Sequence, residues 1–327
     1  MMNNFVQTWL LKTAKTCVNC LLVLLMPAVS QAQSADWSVL LQPTELSVLL
    51  ENNAAIRVIH VTGNFSEGHI PGAANAPYAQ FRGPQTNAGQ LPSLEHLTAL
   101  VQSLGIDAST PVVVVHQGSN ASDMGAATRV YWTLKSLGVT QLAVLNGGFA
   151  AWRDQQLPVS TTASTIASSN YRPTWNDKWR ISASALESSL QNPTMRLLDS
   201  RPSSFFTGQQ SIAERPGTIR GADNLSYDTW FDNNRLKPLN ELDVLFSNNL
   251  TDTNMDSTVV FCNTGHWASI NWFVISELAG IANTQLYAES VVDWAQSNRP
   301  MDNQPGRLAH YWSLTREWMQ SLTGSRP

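Results

Sequence analysis

The stretch STVVFCNTGHWASINWFVISELAGI (257–281) changes its period in the middle. It opens on a β-branched and aromatic run suited to a strand buried on both faces, and it closes on apolar residues at helical spacing. Between the two lies Cys262-Asn263-Thr264-Gly265-His266-Trp267, with Ala268 opening the helix. Gly265 permits the tight path that so short a strand-to-helix loop requires. Strand, loop and helix in this order belong to an α/β sheet, and the carboxyl end of a parallel strand is where such sheets hold their ligands.

The same pattern occurs earlier in the chain. RVIHV (57–61), EGHIPGAANAPY (67–78), PVVVVHQG (111–118), ATRVYWTLKSLGV (127–139) and LAVLNGGFAAWRDQQLPV (142–159) form a first unit. RLLDSR (196–201), ERPGTIRGADNLSY (214–227), STVVFCNTG (257–265), ASINWFVISELAGI (268–281) and TQLYAESVVDWAQSNRPM (284–301) form a second. Gly72, Ala73, Asn75 and Tyr78 match Gly221, Ala222, Asn224 and Tyr227 at an offset of 149, and Gly138, Trp152 and Pro158 match Gly280, Trp294 and Pro300 at an offset of 142. A register held through rare residue types marks an internal duplication. SLEHLTALVQSLG (93–105) and LNELDVLFSNN (239–249) have helical spacing, so each unit alternates strands with helices around a mainly parallel sheet. The expected organisation is a signal peptide at 1–32, units at 36–160 and 173–301, a solvated Ser/Thr/Ala-rich linker at 161–172, and a tail at 302–327 with an amphipathic helix near 308–322.

Composition narrows the function classes. Charged residues are only 13% of the 327, and the formal net charge is −4. Lys12 and Lys15 precede an apolar run from Val18 to Val29, and Ser30-Gln31-Ala32 offers small residues at the −3 and −1 positions of a cleavage site. The run is too short for a membrane span, so it reads as a secretory signal cut after Ala32, with an uncleaved anchor as the alternative. Losing those two lysines takes the 20 basic residues to 18 against 24 acidic, and no basic block is left for nucleic acid. Cys17 and Cys20 leave with the signal. The mature chain, periplasmic or secreted and without stable membrane insertion, then keeps one thiol, Cys262. Three cysteines make neither a disulfide framework nor a metal site.

Taken together, the GHIPGA and GTIRGA turns, the LLDSR strand, the Cys-x-x-Gly-x-x-Ala loop and the two closing Trp segments resemble the tandem-domain rhodaneses, the thiosulfate and 3-mercaptopyruvate sulfurtransferases. The resemblance spans residues 36–300 or so. It implies two rhodanese-like α/β domains, the first inactive because HQGSNASDMGAA (116–127) has no cysteine, the second active through a persulfide on Cys262. It further implies a small-molecule sulfur donor, a thiol or cyanide acceptor, and no metal or organic cofactor. Loop N–H groups and the helix N-terminus favour a thiolate there.

Asn263, Thr264, Gly265, His266 and Trp267 are therefore expected to line the donor site. His266 either bonds the donor, helps hold the thiolate when protonated, or faces solvent; Trp267 lines the pocket or packs. The loop carries none of the positive charge of the thiosulfate-type enzymes. Arg220 is the first candidate to supply it, with Arg215 behind it. Arg201 is a candidate donor ligand, although a structural pair with Asp199 is the stronger reading. Arg129 reads as a surface charge and His69 as structural. Ala288 and Glu289 depart from the family's usual turn and leave the path there open. The expected activity is thiosulfate sulfur transfer, with 3-mercaptopyruvate as the alternative donor and a non-catalytic sulfur-binding or interaction scaffold as the alternative class. A phosphatase on the same loop geometry would need an arginine six residues after the cysteine, where Ala268 stands.

Overall fold

The computed structural model describes residues 36–250 and 254–305; the expected signal segment and the helix expected near 308–322 lie outside them. In the first unit the order is β1 (Leu40–Leu41), α1 (Pro43–Asn52), β2 (Arg57–His60), β3 (Ala74–Asn75), α2 (Leu94–Ser103), β4 (Val112–Val115), α3 (Met124–Ser136), β5 (Leu142–Leu145) and α4 (Gly148–Asp154). The second runs α5 (Ala183–Ser189), β6 (Met195–Asp199), α6 (Ser203–Phe206), β7 (Thr218–Ile219), β8 (Asp223–Asn224), β9 (Phe231–Asp232), β10 (Arg235–Leu236), α7 (Leu239–Asn249), β11 (Ser257–Phe261), α8 (His266–Trp272), β12 (Thr284–Leu286), α9 (Ser290–Gln296) and β13 (Met301–Asp302). Among the described residues, no helix is long and apolar enough to cross a membrane.

Both principal sheets are wholly parallel, β1-β5-β4-β2-β3 and β12-β11-β6-β8. Parallel strands with helices on both faces need apolar side chains in both directions, which is why VVVV rather than an alternating run builds β4; all four valines are 0% exposed. Where β1 flanks β5, the second unit keeps only an isolated parallel bridge between Arg180 and Leu286. The two offsets of the repeat are met element for element. β3 maps onto β8 at 149 and α4 onto α9 at 142. Trp152 Nε1–H donates to Pro158 O at 2.8 Å, as Trp294 Nε1–H does to Pro300 O at 2.9 Å. The 160–170 segment has no regular structure after Ser160 and is mostly exposed, but Ser169 Oγ–H and Tyr171 O–H strap its end to the carbonyls of Ile106 and Leu137.

α3 and α8 are the equivalent helices of the two units, and they pack on each other. α3 is buried on nearly every side, from Met124 to Leu134. One core runs continuously from the first sheet through both helices to the second. Thr128 Oγ1 and Ser269 Oγ hydrogen-bond at 2.8 Å across the contact, and Ser269 Oγ also donates to Gly125 O at 3.1 Å. Lys135 and Tyr131 both reach Glu277 at its far end, at 2.7 and 2.8 Å. Gly125 is a point of close approach, since a Cβ there would lie 2.8 Å from the His266 ring and from its carbonyl oxygen. Gly125→Val therefore overpacks the contact and is expected to cost about 1–3 kcal/mol. Denaturant unfolding measures this, and a wild-type midpoint would refute so close an approach.

Candidate active site

β11 is a central strand, and Cys262 follows its last residue, 1% exposed, with a free thiol. The loop is tied down from one side. Cys262 N–H donates to Ser290 Oγ at 3.1 Å, while the carbonyls of Cys262 and Asn263 accept from Val291 and Val292 at 3.1 Å each. Ser290 Oγ–H in turn donates to Tyr287 O at 2.8 Å. Ser290 holds a left-handed φ of 59° where the first unit has Gly148 at 61°. A serine keeps that disfavoured backbone because its hydroxyl is needed by the loop. Gly265, at φ 72°, must be glycine for two reasons: the left-handed backbone, and the Ala288 carbonyl and Arg129 guanidinium that a side chain would strike.

The remaining loop N–H groups face no protein acceptor. Among the described residues, those of Asn263, Thr264 and Gly265 have none. In the first unit Val115 pairs with His60 as Phe261 pairs with Asp199, so His116 stands where Cys262 stands. There the three corresponding donors are all taken. Gln117 N–H goes to Thr62 Oγ1 at 2.8 Å, and those of Gly118 and Ser119 go to one carboxylate oxygen of Asp123, at 2.9 and 3.2 Å. The cradle that is open in the second unit is filled by the chain's own anion in the first. His116 is fully buried with both ring nitrogens unpartnered, and burial holds it down at about 4.

Positive charge reaches the loop from the first unit. Arg129, expected at the surface, is 0% exposed because α8 covers the helix that carries it. Its guanidinium lies over Trp132, donates to Gly89 O at 2.8 Å and Ala288 O at 3.4 Å, and abuts Gly265. Burial lowers it to about 10, aided by the like charge of Arg82, which leaves it a cation at neutral pH. Arg82 is half-buried; Nη1 donates to Tyr78 Oη at 2.8 Å and Nη2 to Thr264 Oγ1 at 3.0 Å. Tyr78, its phenol held above the ordinary value by burial, also contacts His266 Nδ1 at 3.1 Å. His266 Nε2 lies 3.3 Å from Ser122 Oγ, which accepts from Trp267 Nε1–H at 2.7 Å. Burial, with Arg82 second, pushes His266 down to about 4, so it is neutral at pH 7: Tyr78 O–H donates to Nδ1 and Nε2–H donates to Ser122. A protonated His266 supporting the thiolate is thus set aside, as is a solvent-facing one. Trp267 stacks on Tyr227 with centroids 5.1 Å apart and meets the edge of Phe205.

The other arginines are committed elsewhere. Arg201 and Asp199 are buried as a bidentate pair with Nη2 to Oδ2 at 2.6 Å; Arg201 also donates to Gly217 O and, at 3.2 Å, to Asn263 Oδ1. It braces the loop through Asn263 and is itself buried. Arg220 projects from its turn into solvent, its side chain 57% exposed and paired with Asp302 at 3.4 Å, and no hydrogen bond or ion pair joins it to residues 262–267. Arg215 closes the end of α9 by donating to the carbonyls of Trp294, Ala295, Ser297 and Arg299. Glu289 is held by Arg180 at 2.6 Å, and His69 is buried between the carbonyls of Phe65 and Thr162. Three cavities, of about 740, 400 and 600 Å³, lie elsewhere, none of them lined by Cys262.

A model of the rhodanese-like domain matches residues 43–155 and again 182–297. The thiosulfate sulfurtransferase of Corynebacterium glutamicum is 30% identical over 247 residues, 71% of this chain and 78% of that protein. Human 3-mercaptopyruvate sulfurtransferase is 28% identical over 254 residues, 73% of this chain and 80% of that protein. In fold the chain is similar to SseA of Escherichia coli, a rhodanese-fold 3-mercaptopyruvate sulfotransferase (TM-score 0.68, 20% identity, 77% of this chain and 98% of that one). It is also similar to the anaerobic ergothioneine biosynthesis enzyme of Chlorobium limicola (TM-score 0.71, 19% identity, 82% and 71%). The chain belongs to the rhodanese family, as two tandem rhodanese-like domains. Within it the chain is a sulfurtransferase.

The depressed histidine has a thermodynamic consequence. Between its ordinary 6.5 and about 4, the unfolded chain binds a proton at residue 266 that the folded chain does not. Its contribution is fully present above pH 6.5 and is lost as the pH falls through that window, on the order of 3 kcal/mol in all. Urea unfolding at stepped pH should show a shallower decline for His266→Gln than for the wild type, and equal slopes would contradict the assignment.

Proposed function

We propose that the chain is an exported sulfurtransferase in which Cys262 carries the sulfur as a persulfide, with thiosulfate as donor and cyanide or a thiol as acceptor. The observation that carries this is the open cradle: Asn263, Thr264 and Gly265 offer N–H groups with no protein acceptor beside the only described cysteine. A terminal sulfur one atom beyond Sγ is an anion that such donors stabilise. Arg129, against Gly265, and Arg82, on Thr264, add positive charge at the loop. In the first half-reaction the Cys262 thiolate forms a bond to the outer sulfur of thiosulfate, the S–S bond of the donor breaks, and sulfite leaves with the electron pair. In the second, the acceptor attacks that outer sulfur, leaving as thiocyanate or a new persulfide and restoring the thiolate. With 3-mercaptopyruvate the C–S bond breaks instead, and the thiol proton ends on the methyl carbon of pyruvate. Relatives bear both donors' names, and 3-mercaptopyruvate is the alternative donor.

The catalytic role falls to Cys262. Asn263, Thr264 and Gly265 stabilise the sulfur anion, and His266 and Trp267 shape the wall through Tyr78, Ser122 and Tyr227. Intact-mass measurement after incubation with thiosulfate or, separately, 3-mercaptopyruvate should show one added sulfur with at least one donor, and none in Cys262→Ser. No adduct on protein with a titratable thiol would end the persulfide reading.

Export rests on the Lys12/Lys15 region, the apolar Val18–Val29 run and the Ser30-Gln31-Ala32 site. It delivers a periplasmic or secreted protein with a single cysteine. N-terminal sequencing of the mature protein should begin at Gln33, and an intact Met1 would overturn it.

A further inference from the structure

Two cations stand on the catalytic loop, and they differ in what they have left to offer. Arg129 is sealed between the units, its guanidinium on Trp132 and on the carbonyls of Gly89 and Ala288. Arg82 is half-buried, with one N–H of each Nη directed to Tyr78 and Thr264. A guanidinium has five N–H donors in one plane, so Nε–H and the second hydrogen of each Nη remain. Arg82 takes part in none of the seven ion pairs among the described residues. A partly desolvated cation without a carboxylate is unusual, most of all in a chain with 13% charged residues. Its neighbours are polar and neutral: a phenol, a threonine hydroxyl and the uncharged His266. The arginines read from the sequence as donor ligands do not compete for the role, since Arg201 is neutralised by Asp199 and Arg220 is in solvent on Asp302.

From this we infer that Arg82, on the domain without a cysteine, is the residue that recognises the donor at the active site of the other domain. Its free N–H edge binds the oxyanion end of a small anionic sulfur donor, sulfonate or carboxylate, and directs the transferable sulfur inward to Cys262. The fork suits both groups, because each presents two coplanar oxygens. The Thr264 and Tyr78 contacts hold the guanidinium in place, so the planar edge is pre-oriented before the donor arrives. Specificity at the site is thereby shared between two halves of the duplication. The inference rests on the sulfur-transfer reading above.

The test is steady-state thiocyanate formation with thiosulfate and with 3-mercaptopyruvate, for wild type, Arg82→Gln and Arg82→Lys. Loss of a charge-assisted contact to the donor should raise the KM of the preferred donor about tenfold or more in Arg82→Gln, with kcat changed far less. Arg82→Lys, which keeps the charge and loses the fork, should fall between the two. In the Cys262→Ser background, where no sulfur moves, calorimetric titration with thiosulfate or 3-mercaptopyruvate should show the same weakening on Arg82→Gln. An unchanged KM, or a fall in kcat with KM unaltered, would overturn the assignment and leave Arg82 as a clamp on Thr264. Should Arg82→Gln fail to fold, Arg82→Lys decides by the same KM criterion. If the wild type itself forms no thiocyanate and takes up no sulfur, the sulfur-transfer reading falls, and this one with it.

Discussion

The contact between α3 and α8 is the constraint on which the rest of the structure depends. It buries a helix of the first domain against the helix that follows the Cys262 loop. Burial on nearly every side leaves α3 little polar face, so its one arginine is turned inward, where Arg129 becomes the cation against Gly265. The same contact brings the Tyr78–Arg82 turn across to Thr264 and His266. The candidate active site thus combines the loop of one domain with charges from the other.

The two copies of the fold show how one frame carries opposite contents. Both keep a parallel sheet, a loop at the end of the central strand, and two carbonyls of that loop held by the start of the last helix. In the first copy Asp123 fills the cradle of N–H groups and His116 replaces the thiol. In this copy the cysteine is missing and the loop N–H groups are occupied as well. In the second copy Ser290 takes over a glycine's backbone to steady Cys262 while its neighbours' donors stay open.

Much of this is legible in the residues. The offsets of 149 and 142 anticipate elements, turns and even the paired Trp-to-carbonyl hydrogen bonds. The Asp199–Arg201 pair and the buried His69 are readable because each lies in a short motif with its partner close in sequence or an apolar strand beside it. Arg129 reads as exposed, since its helix displays a polar residue and nothing local discloses a second helix over it. Arg220 is favoured by sharing a turn with the motif, yet the glycine turn throws it outward onto Asp302. Arg82 leaves no signal, its counterpart in the second unit being Phe231. Ser290 leaves one, a serine where the repeat has Gly148.

By itself, the sequence determined the duplication, the parallel α/β frame and the position of Cys262 at a strand-to-helix loop. These follow from periodicity and local backbone chemistry, which act between residues near in the chain or repeated along it. Only the tertiary structure decided which charges serve that loop. That choice depends on how two domains bury their facing helices, and residues 82 and 129 meet residues 264 and 265 only once that burial is complete.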